Sequence, residues 1–242
     1  MKTQFLNFRL LSVLMALLLG LTSCSSLRLL PAGQMKTETQ SVDAGSASSA
    51  NVQIKMDAGK LDIKGGADSL MQGTFKYNVE SWQPAVNYNV NGDRGELVVN
   101  QPNTDISIGP NQVNEWNLQL NNEMPLEVQI HTGAGESILD LSSLDLTGAK
   151  IETGVGSTDI DLGGTWDRDI NTTITGGVGG IKVHLPGDMG VQVNVESGLI
   201  GVTANGFMQD GQTYVNQAYG NTPHTLFVNI QAGVGGIELL SP

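Results

Sequence analysis

A six-residue phrase, Ile130-His131-Thr132-Gly133-Ala134-Gly135, recurs down this chain, and its spacing narrows the possible folds more than any other feature of the sequence. It returns as Ile151 to Gly156, Ile174 to Gly179 and Ile230 to Gly235, with looser copies at Met56 to Leu61 and Val195 to Ile200. Take the first glycine of each copy as origin: Gly59, Gly133, Gly154, Gly177, Gly198 and Gly233. The third position before it then holds Met56, Ile130, Ile151, Ile174, Val195 and Ile230. The residue just before each origin is small (Ala58, Thr132, Thr153, Gly176, Ser197, Ala232). Four or six places beyond it the chain is apolar again, as at Ile63, Leu139, Ile160, Ile181, Val183, Val202, Ile237 and Leu239. The central origins fall 21, 23 and 21 residues apart, an interval associated with stacked repeats.

The parity of the pattern carries the structural information. Before the glycine the apolar residues stand at odd offsets, and beyond the second glycine they stand at even ones. Strand side chains alternate faces with period two, so a change of parity means that one residue has been inserted. A bulge or a sharp corner does this, and glycine supplies the backbone angles it needs. Each copy reads as strand, glycine corner, strand, with both strands facing one interior. The expected fold is all-β, a solenoid-like (β-helix-like) stack of ~21-residue repeats. A β-sandwich is the alternative that alternating strands also permit.

Charge and composition limit the function. Thirty-one glycines and 15% charged residues suit a turn-rich β protein, and no long amphipathic helix stands out. A formal net charge of −12 argues against nucleic acid, whose phosphates require a basic surface.

Residues 1–23 read as a lipoprotein signal peptide. Lys2 and Arg9 give a positive start, and Leu10 to Leu21 is an apolar run too short for a comfortable membrane span. It ends in Leu21-Thr22-Ser23-Cys24, which resembles the bacterial lipobox. That resemblance implies acylation of Cys24, with palmitate among the chains, and anchorage to a membrane. The outer membrane is then the expected location in a diderm, and the outer face of the cell membrane otherwise. Cys24 is the only cysteine, so the exported chain forms no internal disulfide. Residues 24–50, with the run Gly45-Ser46-Ala47-Ser48-Ser49-Ala50, read as a flexible tether.

Two further parts follow: an N-terminal β section over residues 51–112 and a C-terminal repeat domain over 113–242. In the first, Thr74 to Val79, Val86 to Val90 and Glu96 to Val99 are strand-like, and Asn91-Gly92-Asp93 signals a hairpin. Trp116 is expected to cover an open end of the core. In the second, the long gap between Gly198 and Gly233 reads as an excursion from the stack, a hairpin or a loop folded over its end. Tyr214, Asn216 and Tyr219 form its polar-aromatic group. They are candidate binding-loop residues, weighed against tyrosines that merely pack the end of the stack.

The segment Trp116 to Leu120, Pro125-Leu126, the serial Gly-x-Gly copies, Tyr214-x-Asn216 and Gly233-Val234-Gly235-Gly236-Ile237 together resemble bacterial toast-rack proteins. The C-terminal part is similar to the outward-facing domain of Lia-type cell-envelope stress regulators and to adhesin-like repeat domains. The resemblance implies stacked strands and brings no catalytic residues with it.

Enzyme chemistry finds little support in the residues. Asp159 and Asp161 share a strand face, and Asp140 with Asp145, or Asp167 with Asp169, could join them as paired carboxylates. They alternate with Ile160 and Leu162, however, which places them on a solvated outer face. His131 and His184 alternate with apolar neighbours in the same way, and His224 stands apart. No nucleophile elbow, zinc-binding helix or phosphate loop appears. Calcium rolls need Gly-Gly-x-Gly-x-Asp, and Gly176-Gly177-Val178-Gly179-Gly180 continues with Ile181 in the aspartate's place. No cofactor or metal is expected. The reading is a non-enzymatic surface lipoprotein that binds, senses, adheres or scaffolds in the bacterial envelope. A carbohydrate-active β-helix enzyme and a ligand-free spacer are the alternatives.

Overall fold

The computed structural model describes residues 32–102 and 111–242. The signal peptide and Cys24 lie outside the described residues. Thirteen strands run in chain order: β1 (Lys36–Val42), β2 (Ser49–Gly65), β3 (Met71–Tyr77), β4 (Ala85–Asn91), β5 (Arg94–Asn100), β6 (Asn114–Leu120), β7 (Leu126–Asp140), β8 (Leu146–Asp161), β9 (Ile170–His184), β10 (Gly190–Asn205), β11 (Phe207–Asp210), β12 (Thr213–Asn216) and β13 (Thr225–Leu240). They form one mixed, 13-stranded sheet, not the two sheets of a sandwich.

Six long strands make its centre, in the spatial order β2-β7-β8-β9-β13-β10, all parallel. The parity change is visible in their burial. In β7 the buried residues are Leu126, Val128, Ile130 and Thr132 before the corner, then Ser137 and Leu139 after it. Both arms feed one core. Ile54, Ile130, Ile151, Ile174, Ile230 and Val195 stand side by side as one row. Ile63, Leu139, Ile160, Val183, Leu239 and Ala204 form another, and both rows belong to a single apolar cluster. Each fully buried aliphatic side chain contributes ~1.5–3 kcal/mol, and the repeat multiplies that gain row by row. Backbone bonding continues past the strand ends as well: Leu141 N–H donates to Asp161 O (2.9 Å) and Leu162 N–H to His184 O (2.8 Å).

The corner requires glycine for two reasons, seen at Gly156. Its φ of 141° is a conformation side chains rarely adopt, and a Cβ there would overlap the carbonyl oxygen of Gly135 on the neighbouring strand. Gly135, Gly179 and Gly235 stand in the same column with the same obstruction.

Register corrects the alignment read from the sequence. Gly59 pairs with Gly135, the second glycine of its copy, so Ile54 and not Met56 is the counterpart of Ile130. The outermost copies each keep one glycine of the pair: Gly59 at one end, and Gly198 at the other, where Ile200 stands opposite Gly235. Sequence order also departs from spatial order. The last strand, β13, inserts between β9 and β10, so the copy around Gly198 terminates the stack. A Cβ on Gly198 would lie 3.1 Å from Gly233 O, looser than at the interior positions.

Two expected boundaries also change. β1 and the start of β2 lie within the stretch read as tether. Lys36-Thr37-Glu38-Thr39-Gln40-Ser41-Val42 is polar yet rich in threonine, and an edge strand that pairs with β3 alone needs few apolar residues. The division at residue 112 is absent, since β2 pairs with β7 along both arms and β6 joins β2 to β3. Trp116 is not a lid but a fully buried core residue, edge-on to Phe75 at 5.4 Å between ring centres. The hairpin at Asn91-Gly92-Asp93 forms as expected, with β4 antiparallel to β5 and Gly92 at φ 66°. The excursion after Gly198 is the antiparallel β11–β12 hairpin, which lies along the first arm of β10.

Candidate functional site

The stacked copies project repeated rows outward as well as inward. Past the corner, Glu136, Ser157, Gly180, Gly236 and Gly201 are neighbours across five strands. Two residues on, Ile138, Asp159, Lys182, Glu238 and Thr203 form the next outward row. Together they line a groove of about 610 Å³ on the second arms. Its floor is the glycine column. Gly180, Gly201 and Gly236 have ordinary backbone angles and open space where a Cβ would stand. The corner needs its glycines; the groove's glycines are not required by the backbone.

Charge alternates along the groove. Lys60 meets Glu136 at 3.3 Å, His184 Nε2 meets Asp159 at 3.1 Å, and Lys182 meets Glu238 at 3.5 Å. These pairs are exposed, so each is worth little to stability, but they give the groove a polar, mixed-sign wall. At the corner itself Val155, Val178 and Val234 make an apolar ridge, each more than half exposed.

The carboxylates singled out in the sequence lie on the outer face and are held by local partners. Asp140 accepts from Ser142 Oγ (2.6 Å), and Asp161 accepts from the Gly163 N–H (2.7 Å). Asp145 and Asp167 both meet Arg168, at 3.1 and 2.9 Å, and Asp169 accepts from the Thr225 N–H at 2.8 Å. His131 meets Glu152 at 3.3 Å, and His224 lies 3.8 Å from Asp169. Among the described residues, no group of three His, Cys, Asp or Glu side chains converges as a metal site would require. The Lys150 ammonium, 2.7 Å away, holds the Glu152 carboxyl below its ordinary range, with His131 adding to the effect. Burial, reinforced by its hydrogen bond to Glu38, pushes the Tyr77 phenol up.

The three candidate binding-loop residues separate. Tyr214 is buried in the core cluster. Asn216 is buried too, and its amide ties down the loop before β10: Nδ2 donates to Pro186 O (2.9 Å) and Met189 O (2.8 Å), while Oδ1 accepts from the Val191 N–H (3.0 Å). Tyr219 alone reaches the surface, donating to Gln192 Oε1 at 2.6 Å.

Sequence reasoning missed a second polar cluster, at the opposite end of the stack. Gln101 Oε1 accepts from the Asp57 N–H (3.2 Å) and from Asn114 Nδ2 (3.0 Å), and Asn114 Nδ2 also donates to Ala58 O (2.7 Å). Trp116 Nε1 completes it by donating to Asn114 Oδ1 at 2.9 Å. The groove was missed as well, although the extra glycine in Gly177-Val178-Gly179-Gly180 and Gly233-Val234-Gly235-Gly236 marked its floor.

The family described as the N-terminal domain of toast_rack matches residues 31–184. The chain belongs to the toast-rack family. A solved structure of a proposed cell adhesion protein from Clostridium sporogenes is similar over 86% of this toast-rack chain and 100% of its own, at 36% identity and a TM-score of 0.83. A proposed adhesin from Bacteroides fragilis covers 87% of the chain and 99% of its own at 11% identity, with a TM-score of 0.23. A comparison with curated proteins returns no match. Among the described residues, no helix of the toast-rack chain is long and apolar enough to cross a membrane.

Proposed function

We propose that this toast-rack chain is a non-enzymatic adhesion or scaffold module of the bacterial cell surface, anchored through a lipid on Cys24. The observation that carries this reading is the likeness, over 86% of this chain, to the proposed cell adhesion protein from Clostridium sporogenes. Two further features support it. The bent parallel strands send side chains of both arms into one core, which supports a solenoid-like reading in which inward positions supply stability and outward ones carry no such demand. The outward carboxylates and histidines are spread over local pairs instead of converging on one reacting centre. The segment Leu21-Thr22-Ser23-Cys24 supports the anchor.

Within this reading the glycine-floored groove on the second arms is the contact surface. Glycan arrays and pulldown from envelope extracts, run with the native chain and with Gly236→Leu, test the assignment. Gly236 has open space above it, so the variant folds normally and loses the captured ligand. Unchanged capture by Gly236→Leu would remove the groove from the proposal, and no capture by the native chain would leave a spacer. Loss of a hydrolytic activity on joint replacement of Asp159 and Asp161 would point to an enzyme instead.

A further inference from the structure

The two arms of β10 end differently. Along the first arm, Gln192, Val193 and Asn194 pair with Val215, Tyr214 and Thr213 of β12, and Val191, Val193 and Val195 are buried. Along the second arm, residues 199–205 pair with β13 on one side, and among the described residues no strand pairs on the other. Val202 and Ala204 are only half-buried there, whereas their partners one strand inward, Ile237 and Leu239, are 2% and 0% exposed. The core is short of one layer at this edge.

Open edges attract further strands unless charge or cover blunts them. At the far end of the sheet, β1 is blunted: Lys36 pairs with Glu80 at 2.5 Å, and Glu38 accepts from Tyr77 Oη at 2.6 Å. The second arm of β10 lacks that protection. Residues 197–208, Ser-Gly-Leu-Ile-Gly-Val-Thr-Ala-Asn-Gly-Phe-Met, contain no charge at all in a chain whose net charge is −12.

We propose that the second arm of β10 is a dimerisation edge, pairing antiparallel with the same arm of a second copy. Charge selects this occupant. Two acidic chains repel over most of their surfaces, and this tract is neutral on both copies. Pairing centred on Thr203 sets each Val202 opposite Ala204 of the other copy, so the half-buried residues of both chains gain a neighbour. The two-fold arrangement closes on itself, whereas attachment to β1 would be head-to-tail and would continue into a filament. This inference stands independently of the adhesion reading.

Full-length chain carrying Thr203→Cys, displayed on cells and treated with a short bis-maleimide, should give a cross-linked dimer. The native chain, with Cys24 alone, should not, and neither should Thr39→Cys on β1. In sedimentation of the purified chain, Thr203→Lys should weaken dimerisation by about 10-fold or more, since like charges face each other across the pair. Thr203 is exposed, so melting should be unchanged. Gly201→Lys, with open space above its Cβ, is the second variant should the first fail to fold. A native chain that stays monomeric at about 100 µM overturns the proposal. So does a dimer that persists in both lysine variants, or a cross-link ladder that runs past the dimer.

Discussion

Inside the stack, long strand meets long strand through bare backbone at the corner; at the N-terminal end, the same backbone is met by two side-chain amides. Between β7 and β8 the approach is so close that Gly156 leaves no room for a Cβ against Gly135. Beyond β2 no long strand follows: β5 leaves at Asn100 and β6 enters at Asn114, whose own carbonyl oxygen stands where a Cβ on Gly59 would go. Gln101 and Asn114 fill that gap, accepting from the Asp57 N–H and donating to Ala58 O. A carboxamide carries the same donor and acceptor as a peptide group. A repeat that stacks through its main chain is therefore closed by one carbonyl, that of Asn114, and by two side chains that imitate main chain, and the two solutions should respond differently to substitution.

The largest effect is expected inside. Gly156→Val forces a β-branched residue into φ 141° and into Gly135 O, so denaturant titration should find no cooperative transition, a loss beyond ~4–5 kcal/mol. A folded variant would show that the corner can open, and would erase the contrast. Next is the amide closure. Asn114→Leu leaves Ala58 O and the Trp116 indole N–H without their partner, at ~1–3 kcal/mol for each buried group unmet. Trp116→Phe removes only the indole donor, and in a double-mutant cycle the two losses should fall short of additive, because they share one hydrogen bond. Strict additivity would mean that the amide does not act through the tryptophan.

Smaller still is acid sensitivity on the first-arm surface. Glu152 is held below its ordinary value by Lys150 and then His131, so its contribution to stability is present above the unfolded carboxyl's pKa. It is lost as pH falls through the lower folded value. Glu152→Gln should shift stability slightly at neutral pH and flatten the acid limb of the pH profile. An unchanged acid limb would place the sensitive carboxylates elsewhere. Gly236→Val, one residue from the corner glycine Gly235, has open space and should alter stability by no more than ~0.5 kcal/mol.

The corner and both core rows could be read from the chain, because burial and steric exclusion act on every copy alike. Ile130, Ile151, Ile174 and Ile230 stand together as the parity argument requires. The register of Gly59 was not legible, since Asp57-Ala58-Gly59 keeps one glycine and either alignment satisfies the apolar pattern. The place of β13 was hidden too: repeats that fit one another equally well carry no record of which is whose neighbour. β1 escaped notice because its pairing lies in the backbone while its side chains read as a polar spacer. Tyr214 and Asn216 could be read either as a loop's recognition pair or as packing at the end of the stack, and both are buried. An Asn that holds three backbone groups has the same sequence signature as one that awaits a ligand.

The insertion of β13 between β9 and β10 bears on how the chain can be assembled. A polypeptide emerging from its N-terminus would lay down β2, β7, β8 and β9 in sequence, then have to hold a vacant slot while β10 and its hairpin were made. Removing residues 225–240 would take out a middle rung and not shorten the rack, so the final strand acts as a keystone whose arrival decides when the whole row becomes continuous.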